Sequence, residues 1–280
     1  MTAQNSGLPG PVNLKAVSKM NLQSLFSLEG KTALVTGGSR GIGAMITEGL
    51  VSAGCRVYIS SRTADACDET AARLKGYPGE CLSLPGDVST IAGIEALVAE
   101  LSGREDAVDI LVNNAGVAWG EPFESFSEKG WDKVMNLNAK SVFFLTQKMM
   151  PLLKQPATAE DPSRVINITS ILGSRPDPMM AYSYCASKAA LAQMTKNLAF
   201  DLAKDNITVN GISPGFFPSQ MTAHIQQDDA ANREMLSKAR FPRYGKAEDI
   251  AGLSIYLCSK SGAYVTGDII PLDGGLLLAC

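Results

Sequence analysis

Residues Lys31 to Leu50 read KTALVTGGSRGIGAMITEGL, and few folds accommodate such a stretch. Thr32 to Thr36 is a short apolar, β-branched run, the signature of a buried strand. Gly37, Gly38, Gly41 and Gly43 then interrupt it, with Ser39, Arg40 and Ile42 between them. A helical pattern follows, with Ile42, Met45, Ile46 and Leu50 on one face. Strand, glycine turn and helix together build a dinucleotide site. Glycines let the backbone approach a pyrophosphate, and the helix N-terminus offers free N–H groups and partial positive charge. The spacing is Gly-x-x-x-Gly-x-Gly rather than the Gly-x-Gly-x-x-Gly of most dinucleotide folds.

From Gly30 onward, strand-like runs alternate with helical ones. The predicted strands are Thr32–Thr36, Arg56–Ser60, Cys81–Leu84, Ile110–Asn113, Arg164–Thr169, Ile207–Ile212 and Asp268–Pro271. Periodic segments fall at Ile91–Leu101, Trp131–Leu153, Ala186–Ala203 and Ala247–Ser259. Such alternation predicts an α/β fold: a mostly parallel seven-stranded sheet with helices on both faces, doubly wound by right-handed crossovers. No repeat or linker divides residues 29–280, so one Rossmann-type domain is expected. Residues 1–28 lack acids and carry Lys15, Lys19 and a few apolar side chains. A disordered extension is the reading preferred over an organelle-targeting helix.

A net charge of −3 gives nucleic acid no electrostatic handle. No apolar run approaches the roughly 18 residues that a membrane helix needs, so no membrane insertion is expected. The six cysteines show neither C-x-x-C pairs nor metal-ligand spacing and suit a reducing, cytoplasmic setting. The single histidine, His224, rules out a histidine-rich zinc site and argues against a Ser-His-Asp triad. No metal site is expected.

The second strand ends in Ser60, Ser61 and Arg62. An acid at this place in a dinucleotide fold would grip the ribose 2′-hydroxyl. Ser61 stands there instead, followed by Arg62, while Arg40 lies within the glycine turn. Two arginines without the acid make a pocket for a 2′-phosphate, so NADP (NADPH) is the predicted cofactor. Asp87 and Val88 follow the third strand, and NNAG (Asn113, Asn114, Ala115, Gly116) follows the fourth. Both lie at the carboxyl edge, where ligands bind in this architecture. Asp87 is placed to accept from the adenine amino group or to cap the next helix.

Tyr184 and Lys188, in YCASK, stand four apart at the start of a helix, which places phenol and ammonium on one face. An unperturbed tyrosine titrates at about 10, and a neighbouring cation draws it toward the working range. Ser170 brings a hydroxyl to the same edge.

TGGSRGIG, NNAG, Asn138 in NLNAKSVFF, Ser170 in NITSILG, YCASK and SPG (Ser213–Gly215) occur in the order and spacing of the short-chain dehydrogenases/reductases. The sequence resembles that family over about residues 30–275. Within it, the likeness is greatest to NADPH-dependent 3-oxoacyl reductases of the rhamnolipid-pathway type, on AYSYCASKAAL, PSRVINITS and the PSQMT after SPGFF. The resemblance implies Tyr184 as proton donor to a substrate carbonyl. It implies that Lys188 lowers the phenol's pKa and holds the nicotinamide ribose, and that Ser170 polarises the carbonyl. Asn138 would hold a water leading to Lys188, and Pro214, Gly215, Phe217 and Ser219 would line the nicotinamide. Family members are commonly tetramers, so a homo-oligomer, tetramer or dimer, is implied as well.

Ser170 and Tyr184 are one residue further apart than in many bacterial acyl-carrier-protein reductases. Phe217 and Ser219 replace the isoleucine and threonine frequent there. Arg175–Ala181 and Phe216–Arg240 are the segments expected beside the substrate, and their Met179, Met180, Met221, Phe216 and Phe217 suit an aliphatic ligand or a subunit contact. Ala223–Lys238 reads as a mobile lid. The expected activity is reduction of a small-molecule ketone, a 3-oxoacyl thioester or related β-keto compound. A polyol or sugar dehydrogenase and a catalytically idle NADP-binding sensor are the competing readings.

Overall fold

The computed structural model describes residues 20–176, 179–219 and 228–278, and the account below concerns these. The strands are β1 (Thr32–Thr36), β2 (Arg56–Ser60), β3 (Glu80–Ser83), β4 (Ile110–Asn113), β5 (Ser163–Ile168), β6 (Ile207–Pro214) and β7 (Ile269–Leu272). They form one sheet in the order β3-β2-β1-β4-β5-β6-β7. Every pairing is parallel, with Leu34 opposite Tyr58 and Leu111, and Ile166 opposite Val112 and Asn210. The chain winds outward from β1 to β3, returns to place β4 on the other side of β1, and winds outward again. The order therefore reverses between β1 and β4, and a crevice opens there at the carboxyl ends.

Helices cover both faces: α1 (Leu22–Phe26), α2 (Gly41–Ser52), α3 (Ala64–Arg73), α4 (Ile91–Ser102), α5 (Glu128–Met135), α6 (Ser141–Lys154), α7 (Tyr182–Leu202), α8 (Asp229–Ser237) and α9 (Ala247–Cys258). Strand side chains alternate between two cores, as a period of two requires. Ala33, Val35, Ile110 and Val112 pack with Ile46 and Leu50 of α2 and Ile250 and Leu257 of α9. Leu34 and Leu111 pack with Ile94 and Leu97 of α4 and Leu145 and Met149 of α6. Each such fully buried side chain contributes about 1.5–3 kcal/mol relative to exposure.

The strands fall within two residues of their predicted bounds, and two expectations change. The stretch Trp131–Leu153 is not one regular helix: a π-helical turn, Asn136–Lys140, separates α5 from α6. The segment read as a mobile lid carries α8 over Asp229–Ser237, although residues 220–227 lie outside the described part. The extension expected to be disordered through residue 28 contains α1, capped by Asn21, and Leu28 is fully buried in the core. Its N–H donates to the Ala53 carbonyl at 2.9 Å, which ties the entry of the chain to the end of α2. The expectation for residues 1–19 lies outside the described residues.

Candidate active site

The glycine turn is shaped by close approach. Gly37 has φ +65°, and its N–H donates to the Ser60 carbonyl at 2.7 Å. A Cβ on Gly43 would overlap the Gly37 carbonyl oxygen and Asn114 Nδ2, so only glycine lets α2 begin this close to β1. Asn114 staples the turn, donating from Nδ2 to the carbonyls of Thr36 at 2.9 Å and Gly37 at 3.1 Å. Thr36 Oγ1 accepts from the N–H groups of Asn114 and Ala115 at 3.0 and 3.1 Å. NNAG thus shapes the cradle as well as bordering it, a role its position alone did not reveal. Thr70 Oγ1, on α3, reaches the Ser39 carbonyl at 3.1 Å and braces the turn from outside.

These residues fit a dinucleotide. Arg40 precedes α2 in extended conformation, and no side chain caps the helix, which leaves its first N–H groups for phosphate oxygens. Arg40 and Arg62 are exposed and form no ion pair or hydrogen bond among the described residues. Between them Ser61 stands in place of an acid, its Oγ donating to the Thr63 carbonyl at 3.0 Å and lying 3.1 Å from Cys67 Sγ. Asp87 does not cap α4; Thr90 does. Instead Asp87 Oδ1 accepts from the Ser89 N–H at 2.9 Å. Burial opposes its ionisation, but the hydrogen bonds from Ser89 and the charge of Arg62 outweigh burial and hold the carboxyl below its usual range. Val88 is buried behind it.

The chemistry-bearing groups converge at the ends of β4 and β5. Ser170 follows β5 in extended conformation and opens a 3-10 turn (Ile171–Gly173), its Oγ accepting from the Leu172 N–H at 3.2 Å. Tyr184 and Lys188 lie one turn apart on α7. Lys188 Nζ donates to the Ile168 carbonyl at 2.7 Å, two residues before Ser170, and stands 5.6 Å from the centre of the Tyr184 ring. Lys188 is only 5% exposed, and burial pushes its ammonium down to about 8.

Asn138 sits in the π turn, fully buried. Its Oδ1 accepts from the Val117 N–H at 2.9 Å, while Nδ2 donates to the Val117 carbonyl at 2.9 Å and to Ser187 Oγ at 3.1 Å. Ser187 Oγ in turn donates to the Tyr184 carbonyl at 2.7 Å. The Asn138 amide therefore locks the loop after NNAG to the helix of Tyr184. A methyl group on Gly116 would lie 3.3 Å from Asn138 Oδ1 and 3.7 Å from Lys188 Nζ, so both flank that glycine.

On the far side, Pro214 ends β6, and the Gly215 N–H donates to the Leu272 carbonyl at 3.0 Å. Ser219 comes back to the glycine turn, its Cβ 3.7 Å from where a Cβ on Gly41 would be. The Phe217 ring packs into the α2/α9 core, 3% exposed and against Gly245. Met179 and Met180 are exposed beside the site, and Met180 adopts a left-handed conformation, φ +56°. Pro178, Met221 and His224 lie outside the described residues. No group of three His, Cys, Asp or Glu that could hold a metal ion stands together among the described residues.

A phenol beside a buried ammonium, with a serine hydroxyl at the same edge as a dinucleotide cradle, is a device for moving a proton to or from a substrate oxygen. Known proteins match the chain over most of its length. The family model described as enoyl-(acyl carrier protein) reductase matches residues 37–277. The rhamnolipids biosynthesis 3-oxoacyl-(acyl-carrier-protein) reductase of Pseudomonas aeruginosa is 49% identical over 253 residues, covering 90% of this chain and 98% of that protein. The solved Pseudomonas aeruginosa RhlG/NADP active-site complex matches with TM-score 0.88 at 49% identity, over 90% of this chain and 98% of that one. The 2-dehydro-3-deoxy-D-gluconate 5-dehydrogenase of Dickeya dadantii is 38% identical over 252 residues, covering 90% of this chain and 97% of its own length. With the glycine turn, the Tyr184–Lys188 pair and Ser170 on one sheet edge, these matches establish that the chain is an oxidoreductase of the short-chain dehydrogenase/reductase family.

Proposed function

We propose that this chain uses NADPH to reduce a 3-oxoacyl thioester or a related β-keto compound to the 3-hydroxy product. The observation that carries the proposal is the pairing of the Ser170–Tyr184–Lys188 group with the exposed Met179 and Met180 on the adjoining segment. A proton donor next to flexible apolar side chains suits a ketone borne on an aliphatic chain. The 49% identity to a 3-oxoacyl reductase supports the same reading.

The cradle from Gly37 to Gly43 would hold the pyrophosphate, and Arg40 and Arg62 the 2′-phosphate. Ser61, Asp87, Val88, Asn114, Ala115 and Gly116 border the adenosine half of the crevice. Pro214, Gly215 and Ser219 border the nicotinamide half. When bound, the cofactor would supply the hydride, two electrons together with the hydrogen of the new C–H bond. Tyr184 gives its phenolic proton to the carbonyl oxygen, while Ser170 donates a hydrogen bond to the same oxygen as negative charge gathers there. Lys188, charged below about pH 8, steadies the phenolate that remains, and Asn138 keeps its helix in register with the loop at Val117.

The competing reading is a sugar acid or polyol dehydrogenase, favoured by the 38% identity to the Dickeya dadantii enzyme. The two part on kcat/KM for a homologous series of β-keto esters. Each buried methylene is worth roughly 0.8 kcal/mol, nearly fourfold per carbon, so efficiency should climb over several carbons before levelling. A flat series, or preference for short hydroxylated ketones, would favour the sugar reading. Tyr184→Phe should abolish turnover with NADPH affinity preserved, and near-normal turnover by that variant would remove Tyr184 as the proton donor; no turnover of any ketone by the wild-type protein would favour the sensor.

No described helix is long and apolar enough to cross a membrane, and the five described cysteines are free. Free cysteines suit the reducing setting of a cytoplasmic enzyme. The exposed Phe143 and Phe200 on α6 and α7 support a homo-oligomer, dimer or tetramer.

A further inference from the structure

Three side chains hold the turn between β1 and α2, one carbonyl each. Asn114 Nδ2 donates to the Gly37 carbonyl at 3.1 Å, Thr47 Oγ1 to the Gly38 carbonyl at 3.3 Å and Thr70 Oγ1 to the Ser39 carbonyl at 3.1 Å. Asn114 follows β4 and Thr47 belongs to α2, but Thr70 stands on α3, the helix that begins two residues after Arg62. That helix buries two side chains, Cys67 and Thr70, one turn apart. Each meets the residue just before an arginine. Cys67 Sγ lies 3.1 Å from Ser61 Oγ, before Arg62, and Thr70 reaches Ser39, before Arg40.

The two arginines are not held alike. A peptide unit is planar, so a bond to one residue's carbonyl oxygen also orients the plane that leads to the next Cα. The Ser61–Arg62 unit is held by main chain, its carbonyl accepting from the Gly86 N–H at 3.0 Å. The Ser39–Arg40 unit is held by a side chain, the buried Thr70 hydroxyl. The ladder of α2 takes up the Arg40 carbonyl, through the Ala44 N–H at 3.2 Å, and begins after Ser39. Thr70 shares its one hydroxyl proton between Ser39 and the Ala66 carbonyl of its own helix, 2.9 Å away, in a three-centre bond.

We infer that Thr70 is a positioning residue for Arg40, through which α3 sets the separation of the two arginines and with it the preference for a 2′-phosphate over a free ribose hydroxyl. A dianion gripped by two guanidinium groups gains most when both reach it without strain, so their spacing decides how much of each charge-assisted bond is realised. NADH carries no group for that grip. The pyrophosphate common to both cofactors would meet the glycines and the first N–H groups of α2, a part of the turn held by Asn114 and Thr47. Losing the Thr70 hydroxyl leaves those two holds in place and slackens the Ser39–Arg40 unit.

This role for Thr70 rests on Arg40 and Arg62 taking the 2′-phosphate, and the test separates the two. Thr70→Val keeps the shape and removes the donor; Thr70→Ser keeps the donor. Fluorescence titration with NADPH and with NADH gives the ratio of their dissociation constants and needs no ketone. Thr70→Val should lower the preference for NADPH by about threefold to tenfold, the worth of one hydrogen bond, with NADH affinity within about twofold of wild type. Thr70→Ser should keep the preference within about twofold. In an Arg40→Ala background, Thr70→Val should shift the preference by less than about twofold, because the side chain it positions is gone. Equal weakening of both cofactors, an unchanged preference, no recovery with serine, or a full additional loss beside Arg40→Ala would overturn the assignment. A preference altered by Arg40→Ala but not by Thr70→Val would refute the role of Thr70 alone. A preference untouched by Arg40→Ala itself would overturn the phosphate reading and the role of Thr70 with it.

Discussion

Gly43→Ala adds a single methyl group at the tightest point of the cofactor cradle. Besides overlapping the Gly37 carbonyl oxygen and Asn114 Nδ2, the new Cβ would stand 2.8 Å from the Gly37 carbonyl carbon, where ordinary contact begins near 3.4 Å. The helix start must retreat by several tenths of an ångström, and Asn114 must swing out of the turn. Overpacking of this kind costs about 1–3 kcal/mol, and the two Asn114 bonds to Thr36 and Gly37 are worth roughly 1 kcal/mol each. Alanine recovers at most about 1 kcal/mol as the better helix former, which leaves a net loss of roughly 2–4 kcal/mol. Retreat also draws the first N–H groups of α2 away from the pyrophosphate, and NADPH affinity should fall about tenfold to a hundredfold. The control is Gly252→Ala on α9, where a Cβ would meet nothing within 4 Å. That change should raise stability by about 0.5–1 kcal/mol and leave binding alone. Urea denaturation and NADPH fluorescence titration read the two quantities. Wild-type affinity together with an unchanged urea midpoint in Gly43→Ala would refute the close-approach argument.

Arg40→Ala and Arg62→Ala should each weaken NADPH binding by about 1.5–3 kcal/mol, roughly ten- to 150-fold, and leave NADH within about twofold; equal losses for both cofactors would remove the arginines from the 2′-phosphate. Lys188 makes the cofactor-free protein pH-dependent. Its ammonium titrates near 8 when folded, because of burial, against 10.5 when unfolded. Below about pH 8 both states are protonated and the burial penalty is fully present; above about 10.5 neither is, and the penalty is gone. Stability contributed through this group should therefore rise between those limits, by on the order of 3 kcal/mol. The urea stability of wild type minus that of Lys188→Met should grow more favourable across that window, and a difference flat with pH would place the lysine's titration elsewhere.

Much of this architecture could be read from the chain because strand and helix each leave a period. Thr32–Thr36 and Ile110–Asn113 are short apolar runs bounded by breakers, and their bounds match the structure. Tyr184 and Lys188 were legible because four residues make one helical turn, so spacing translated directly into proximity. The π turn at Asn136–Lys140 was not legible. It adds a residue to one turn and shifts the apolar stripe around the axis, which periodicity averages away. α3 escaped notice because it buries only Cys67 and Thr70 among polar neighbours. The bonds from Asn114 to Gly37 and from Asn138 to Val117 depend on segments far apart in the chain, and no local pattern encodes such a meeting. Phe217 was placed by analogy at the nicotinamide, where an isoleucine is frequent. Where the larger ring packs, in the space left open by Gly245, depends on a residue far along the chain that no local pattern announces.

The strand order has a consequence for how the protein is made. β1 lies inside the sheet, yet its second neighbour, β4, is more than seventy residues away in the chain. A nascent chain released as far as Asn113 can assemble β3-β2-β1-β4, which leaves β4 with a bare row of N–H and carbonyl groups. The covering strand begins at Ser163, fifty residues later. At about 5–20 residues per second that edge stays open on the ribosome for roughly 3–10 s. Ile110, Leu111 and Val112 are apolar on both faces and carry no charge to discourage pairing with another chain. The step most exposed to misassembly therefore falls midway through synthesis, before any of Ser170, Tyr184 and Lys188 has been made.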